Sequence, residues 1–141
     1  MSQILPPATA DTVAAARASY ARCLATAGFL EDFYRDFFRR CPQAEPLFAK
    51  TDFSRQVRLL QHAIGLLLSY PGRAGSTPQL LERVAERHSR RDLDIAPELY
   101  EPFVTSLVAT VGRHDPEFTP ELGAAWRASL APGVAYMQSR Y

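Results

Sequence analysis

The chain has 141 residues, of which 47% are hydrophobic and 22% charged. That suits one globular domain with a single core and is too short for two full-sized domains. Sixteen basic and 15 acidic residues leave a formal net charge of +1, which gives no electrostatic case for nucleic acid or an anionic membrane surface as partner. Cys23 and Cys41 stand too far apart for Cys-x-x-Cys, Cys-x-x-Cys-His or a zinc spacing, which excludes covalent c-type haem, iron–sulfur and thiolate–zinc sites and favours a reducing, cytoplasmic setting.

Along the chain, Met1 to Ala10 lacks a basic leader and is broken by Pro6-Pro7, so it reads as a flexible N-terminal segment ahead of one domain over residues 11–141. No stretch alternates as a strand does, and helical spacing recurs throughout. The first helix is expected from Asp11 to about Thr26, capped by Thr9 or Asp11 and ended by Gly28. A second runs from Phe29 to Arg40 and stops before Pro42. A short helical turn follows over Pro42 to Phe48. Asp52 then caps a long helix to Tyr70, whose apolar stripe is Phe53, Val57, Leu60, Ile64 and Leu67. Pro71 to Ser76 reads as a loop, and Thr77-Pro78 as the cap and first position of a helix to about Arg90. Pro97 opens a helix to about Val111, and Gly112 to Thr119 form a turn. Thr119-Pro120 starts the last helix, which Pro132-Gly133 should kink or break. The expected fold is all-α, six or seven helices. The longest apolar run, Ala63 to Leu68, is far short of the roughly 20 residues of a membrane span.

Three histidines are available. His114 falls in the predicted turn and is expected to be exposed, as is His62, which shares a polar face with Arg55 and Arg58. His88 instead continues the apolar face of Leu81 and Val84, so it points inward. Such a His serves either as a core residue bonded to a neighbour or as a ligand. Tyr34 shares a face with Leu30, Phe37 and Cys41. Its hydroxyl goes either to a backbone carbonyl or into a pocket. Gln56 sits at the edge of the long helix's stripe, either half in water or at a pocket mouth. One inward His and one inward Tyr cannot build a zinc site, nothing marks a nucleophile, and Gly72 to Ser76 lacks the pattern of a phosphate loop. A b-type haem needs a single strong protein ligand in an apolar helical pocket.

These segments together resemble the globin family, in its bacterial single-domain and flavohaemoglobin branch. Phe33-Tyr34-Arg35-Asp36-Phe37-Phe38 resembles that branch's second helix, and Cys41 to Phe48 the corner after it. Gln56 with Leu60 matches the distal pair, Val84 to His88 the proximal helix, Ile95 to Tyr100 the start of the next helix, and Trp126 a Trp of the last helix. The likeness runs from about Asp11 to Tyr141. It implies a globin fold around a b-type haem (iron protoporphyrin IX), with His88 as iron ligand and Tyr34, Gln56 and Leu60 on the gas-binding side. It also implies Phe48, Val57, Val84, Ile95 and Tyr100 against the macrocycle, and Arg55, Arg87 or Arg91 near its propionates.

The departures are informative. The stretch from Phe48 to Gln56 is slightly shorter than in flavohaemoglobins. A gapless count puts Arg58 or a neighbour in the distal slot, whereas the apolar stripe favours Gln56 with Leu60. Flavohaemoglobins also carry a late Glu that polarises the proximal His. Here no Glu follows Glu121, so a strong proximal push is not expected. The function implied is reversible binding of O₂, CO and NO for storage, delivery or sensing. The alternative is NO dioxygenation, which in a chain of this size would need a separate reductase.

Overall fold

The computed structural model describes residues 7–72 and 79–141. Among these residues there are six α-helices and no strand: α1 (Ala10–Leu24), α2 (Phe29–Arg40), α3 (Phe53–Ser69), α4 (Gln79–His88), α5 (Tyr100–His114) and α6 (Pro120–Ser139). Short 3₁₀ segments lie at Pro42–Phe48, Tyr70–Gly72 and Pro97–Leu99. Most of the flexible segment expected at the N-terminus, the later part of the expected loop and the Thr77-Pro78 start signal lie outside the described residues.

The caps follow from side-chain chemistry. The hydroxyl of Thr9 accepts from the amide of Thr12 at 3.1 Å, and that of Thr119 from Leu122 at 3.1 Å. The carboxylate of Asp52 accepts from Ser54 at 3.1 Å. Each satisfies an amide that the first helical turn leaves unpaired. Gly28, between α1 and α2, has φ +76°, a left-handed conformation suited to a residue without Cβ.

Several boundaries differ from expectation: α1 ends at Leu24 instead of about Thr26, α4 at His88 instead of about Arg90, and α5 continues to His114 instead of ending near Val111; α6 is not broken at Pro132-Gly133. An interior Pro costs a helix about 3 kcal/mol. On α6, Ala128, Leu130, Gly133 and Met137 are all buried, so packing on either side of Pro132 holds the helix through the lost hydrogen bond.

The main packing pairs are α2 on α5 and α1 on α6, with α5 and α3 also against α6. In the α2–α5 layer Phe33 stacks on Phe37 at 5.6 Å and meets Phe103 edge-on at 5.1 Å. Between α1 and α6 the buried Trp126 donates from Nε1 to Ser19 Oγ at 2.9 Å, and Ser19 donates to Asp115 Oδ2 at 2.5 Å. Arg22 donates to both oxygens of Asp115, at 2.8 and 2.9 Å. The Arg22 bonds are the main cause that holds the Asp115 carboxyl down at about 2, against the burial that pushes it up.

His114 is not exposed as the sequence suggested; its side chain is only 11% accessible. Because α5 reaches it, the ring turns into the bundle. There Nε2 donates to Asp32 Oδ2 at 2.7 Å and Nδ1 lies 2.6 Å from Thr26 Oγ1. The end of α1, the start of α2 and the end of α5 are tied at this ring.

Candidate functional site

α2 turns Leu30, Tyr34, Phe37 and Cys41 inward, and all four are buried. The spacing that put them on one face therefore holds. Tyr34 is ringed by aromatic side chains: Phe33 at 5.2 Å, Phe38 at 5.7 Å, Phe48 at 5.5 Å and Phe53 at 5.5 Å between centroids. Burial pushes the phenol up to about 12, opposed only in part by its bond to Gln56, so it stays protonated near neutral pH.

The bond to Gln56 sets the direction of that proton. Gln56 Nε2 donates to Tyr34 Oη at 3.0 Å. The phenol oxygen is thus an acceptor in this pair, and its own O–H has no protein acceptor among the described residues. An amide donating to the oxygen polarises the hydroxyl and strengthens it as a donor. Leu60, one turn after Gln56, is buried, while Val57 is half-buried. Arg58, the residue a gapless count would select, is exposed on another side of α3 and lines a shallow groove with His62, Gln61 and Tyr20. It is Gln56 that meets Tyr34.

α4 places Leu81, Val84 and His88 on one face, with Leu81 buried and the other two half-buried. His88 Nδ1 lies 2.7 Å from the carbonyl of Val84, one turn earlier. A carbonyl only accepts, so Nδ1 carries the proton and Nε2 carries the lone pair. Burial, with a smaller contribution from Arg87, lowers the ring below the usual histidine range against the opposing Val84 bond, which favours the neutral form. Among the described residues Nε2 has no hydrogen-bond partner. After His88 the chain turns back, and the amide of Ile95 donates to the His88 carbonyl at 2.9 Å.

The remaining site residues divide by exposure. Phe48, Val57, Val84 and Ile95 come from four segments and are half-buried against the core. Tyr100, at the start of α5, is buried, and burial raises its phenol to about 12. Arg87 pairs with Asp92 at 3.2 Å, whereas Arg55 and Arg91 are exposed and form no ion pair among the described residues. Phe53, counted in the apolar stripe of α3, is 42% exposed. It stands in the first turn of α3, where one face packs on the rings around Tyr34. Its other face borders a cavity of about 820 Å³ between α2 and α3, lined also by Tyr34, Phe38 and Val57 beneath a rim of Glu31, Arg35, Arg39 and Glu45. His88 is not part of that cavity.

Phe38 and Phe53 went unrecognised as neighbours of Tyr34. Phe38 stands one helical turn after Tyr34, a spacing that could have revealed it. Phe53 reaches Tyr34 only through the packing of α3 on α2.

The residues fit a b-type haem. A neutral imidazole with its proton on Nδ1 and Nε2 free would supply the single strong ligand that a macrocycle with four nitrogens of its own requires. The half-buried apolar side chains offer surface to an apolar planar group.

The fold has a counterpart among known proteins. A crystal structure of protein PA3967 from Pseudomonas aeruginosa, described as structurally highly homologous to a human hemoglobin, has a TM-score of 0.87 to this chain. The two share 37% sequence identity, over 92% of this chain and 98% of that one. No curated protein sequence is significantly similar. The globin family model matches residues 31–137, and with the all-α architecture this establishes that the chain has the globin fold and belongs to the globin family.

Proposed function

We propose that this globin holds a b-type haem on His88 Nε2 and reversibly binds small diatomic gases, O₂, CO and NO, in storage, delivery or sensing. The haem supplies the iron that takes up the gas. The chain supplies the rest. The carbonyl of Val84 fixes the tautomer and plane of His88. Phe48, Val57, Val84 and Ile95 pack the macrocycle, with Tyr100 bordering it, and Arg55, Arg87 or Arg91 meets the propionates. Tyr34, held in place by Gln56, donates its free proton to a polar gas, with Leu60 and the surrounding rings packed beside it.

The Gln56–Tyr34 bond carries this reading, because it leaves a buried phenol proton unassigned. In a dry pocket such a donor contributes roughly 1–3 kcal/mol to a ligand with partial negative charge. O₂ gains from it more than the less polar CO. The likeness to PA3967, itself likened to a human hemoglobin, supports the same reading.

Absorption spectra of the purified protein test it. The expected result is a Soret band, a reduced form that takes up CO, and an oxygenated form that persists. A protein that takes up no haem overturns the reading. Mixing NO with the oxygenated form then separates a carrier from a dioxygenase. Rapid repeated turnover with an added reductase would assign the chain to NO dioxygenation instead.

A further inference from the structure

The cavity of about 820 Å³ between α2 and α3 has chemistry that the gas-binding side does not use. Tyr34 and Val57 form the wall it shares with that side, while Phe48, Gln56, Leu60 and His88 do not line it. Its size falls within the roughly 300–1,000 Å³ of small-molecule sites, which combine an apolar lining with a few polar groups. Here the lining is aromatic. Phe53 stands nearly perpendicular to Tyr34, at 83° and 5.5 Å between centroids, and to Phe38, at 81° and 6.3 Å. Phe53 is exposed and Phe38 only half-buried, so part of this aromatic surface is left open. The face of an aromatic ring carries the negative part of its quadrupole and attracts cations. Rings set at right angles offer such faces from two directions.

The charged rim points the same way. Its two guanidiniums are engaged on their own helix: Arg35 donates to Asp32, and Arg39 to Asp36 Oδ2 at 3.0 Å. An anion entering the cavity would compete with those carboxylates for them. Glu31, in the first turn of α2, and Glu45, in the 3₁₀ segment after it, are exposed and form no ion pair among the described residues. The charge left free at the mouth is therefore negative, and it stands beside a floor of aromatic rings. Carboxylate and ring face select the same sign of ligand.

We propose that this cavity binds an organic ammonium ion with an apolar body. The cationic head lies between the carboxylates of Glu31 and Glu45 and the rings of Phe38 and Phe53. The apolar part lies on Val57 and the ring of Tyr34. An alkylated ammonium suits the site because its methyl groups pack on ring faces and its charge needs no hydrogen-bond acceptor. The site stands on the cavity and its rim, and makes no use of His88 or of haem.

The test titrates the full chain, CO-saturated if it holds haem, with hexyltrimethylammonium, hexanol and hexanoate at one ionic strength, and follows ring resonances by NMR. Hexyltrimethylammonium should shift the rings of Phe38 and Phe53 and bind tightest of the three, with hexanoate weakest. Glu31→Gln with Glu45→Gln should weaken the cation roughly tenfold and leave hexanol alone. Phe53→Leu keeps an apolar side chain without a π face; it should weaken the cation roughly fivefold and hexanol little. Glu121→Gln, an exposed acid at the start of α6, should change nothing. No shift of these rings, equal binding of hexanol or hexanoate, or a cation affinity indifferent to the paired Glu variant each overturns the site. An unchanged affinity in Phe53→Leu overturns the role of the ring. A wild-type chain without a Soret band sinks the haem reading, yet the same titrations still decide this one.

Discussion

Trp126, Leu107, Leu130 and Phe33, on the α1–α2–α5–α6 side, are 0% exposed, whereas Phe48, Val57, Val84 and Ile95, along α3, α4 and the segments flanking them, are all partly exposed. The polar groups differ in the same way. On the closed side the Asp115 carboxylate is satisfied by Ser19, Arg22 and the amide of Glu117, and Asp36 is held by Arg39, Arg40 and Arg113. By contrast His88 Nε2 on α4 and the O–H proton of Tyr34 on α2, next to α3, have no protein partner among the described residues. Burying a polar group without a partner is costly, so folds pair them off. Asp115 and Asp36 follow that rule. His88 and Tyr34 each keep one hydrogen-bonding position open among the described residues.

The contrast predicts that mutations in the two halves fail differently. The largest effect is expected from His88→Ala, which should abolish or severely weaken haem uptake with little loss of helix; a full, unshifted Soret band would refute the ligand assignment. Next is Tyr34→Phe, expected to speed O₂ release roughly tenfold or more, about 1.4 kcal/mol, with little change for CO. Equal effects on both gases in stopped-flow traces would count against a hydrogen bond to the ligand.

Asp115→Asn tests the closed half. It should cost about 2–3 kcal/mol in urea unfolding, because Arg22 and Ser19 lose a charged partner, and should leave gas kinetics alone. The Asp115 carboxyl is lowered in the fold to about 2 from 3.8. Its contribution is thus complete above pH 3.8 and is lost as pH falls toward 2. The acid limb of a stability–pH curve should flatten in the variant; parallel curves would mean that the network adds nothing. The smallest effect is expected at Ser129, whose buried Oγ has no partner among the described residues. Ser129→Ala should be neutral or stabilising by under about 1 kcal/mol, and a marked loss of melting temperature would reveal a partner for that hydroxyl.

Helical phase was legible wherever local spacing sufficed. The buried face of α2, from Leu30 through Tyr34 and Phe37 to Cys41, and the caps at Thr9, Asp52 and Thr119 all appear in the structure as read. So does the inward side of α4 that carries His88. Residues whose environment comes from distant segments were not legible. Asp36 looks like a charge on an ordinary helix until Arg113 arrives from α5, and His114 looks solvated until Asp32 and Thr26 close on it. Gln56 could be placed at an edge by periodicity, but its bond to Tyr34 depends on how α3 crosses α2. Phe53 has the right phase and still lies at the surface, because helical phase does not specify where a neighbouring helix ends. Pro132-Gly133 misled for a related reason: local propensity predicts a break, and tertiary packing overrides it.

Gly133 does more than sit in an unbroken helix. A Cβ built there would fall 2.6 Å from Leu67 Cδ2 and 3.5 Å from Leu67 Cα, so α6 and α3 touch at this point with no room for a side chain between them. Leu67 and Gln56 lie on the same rigid helix, about 16 Å apart along its axis. A methyl group at position 133 would either turn the end of Leu67 aside or swing α3 about it, and a swing would carry Gln56 relative to Tyr34. Packing at Gly133 therefore bears on α3, the same helix that carries Gln56.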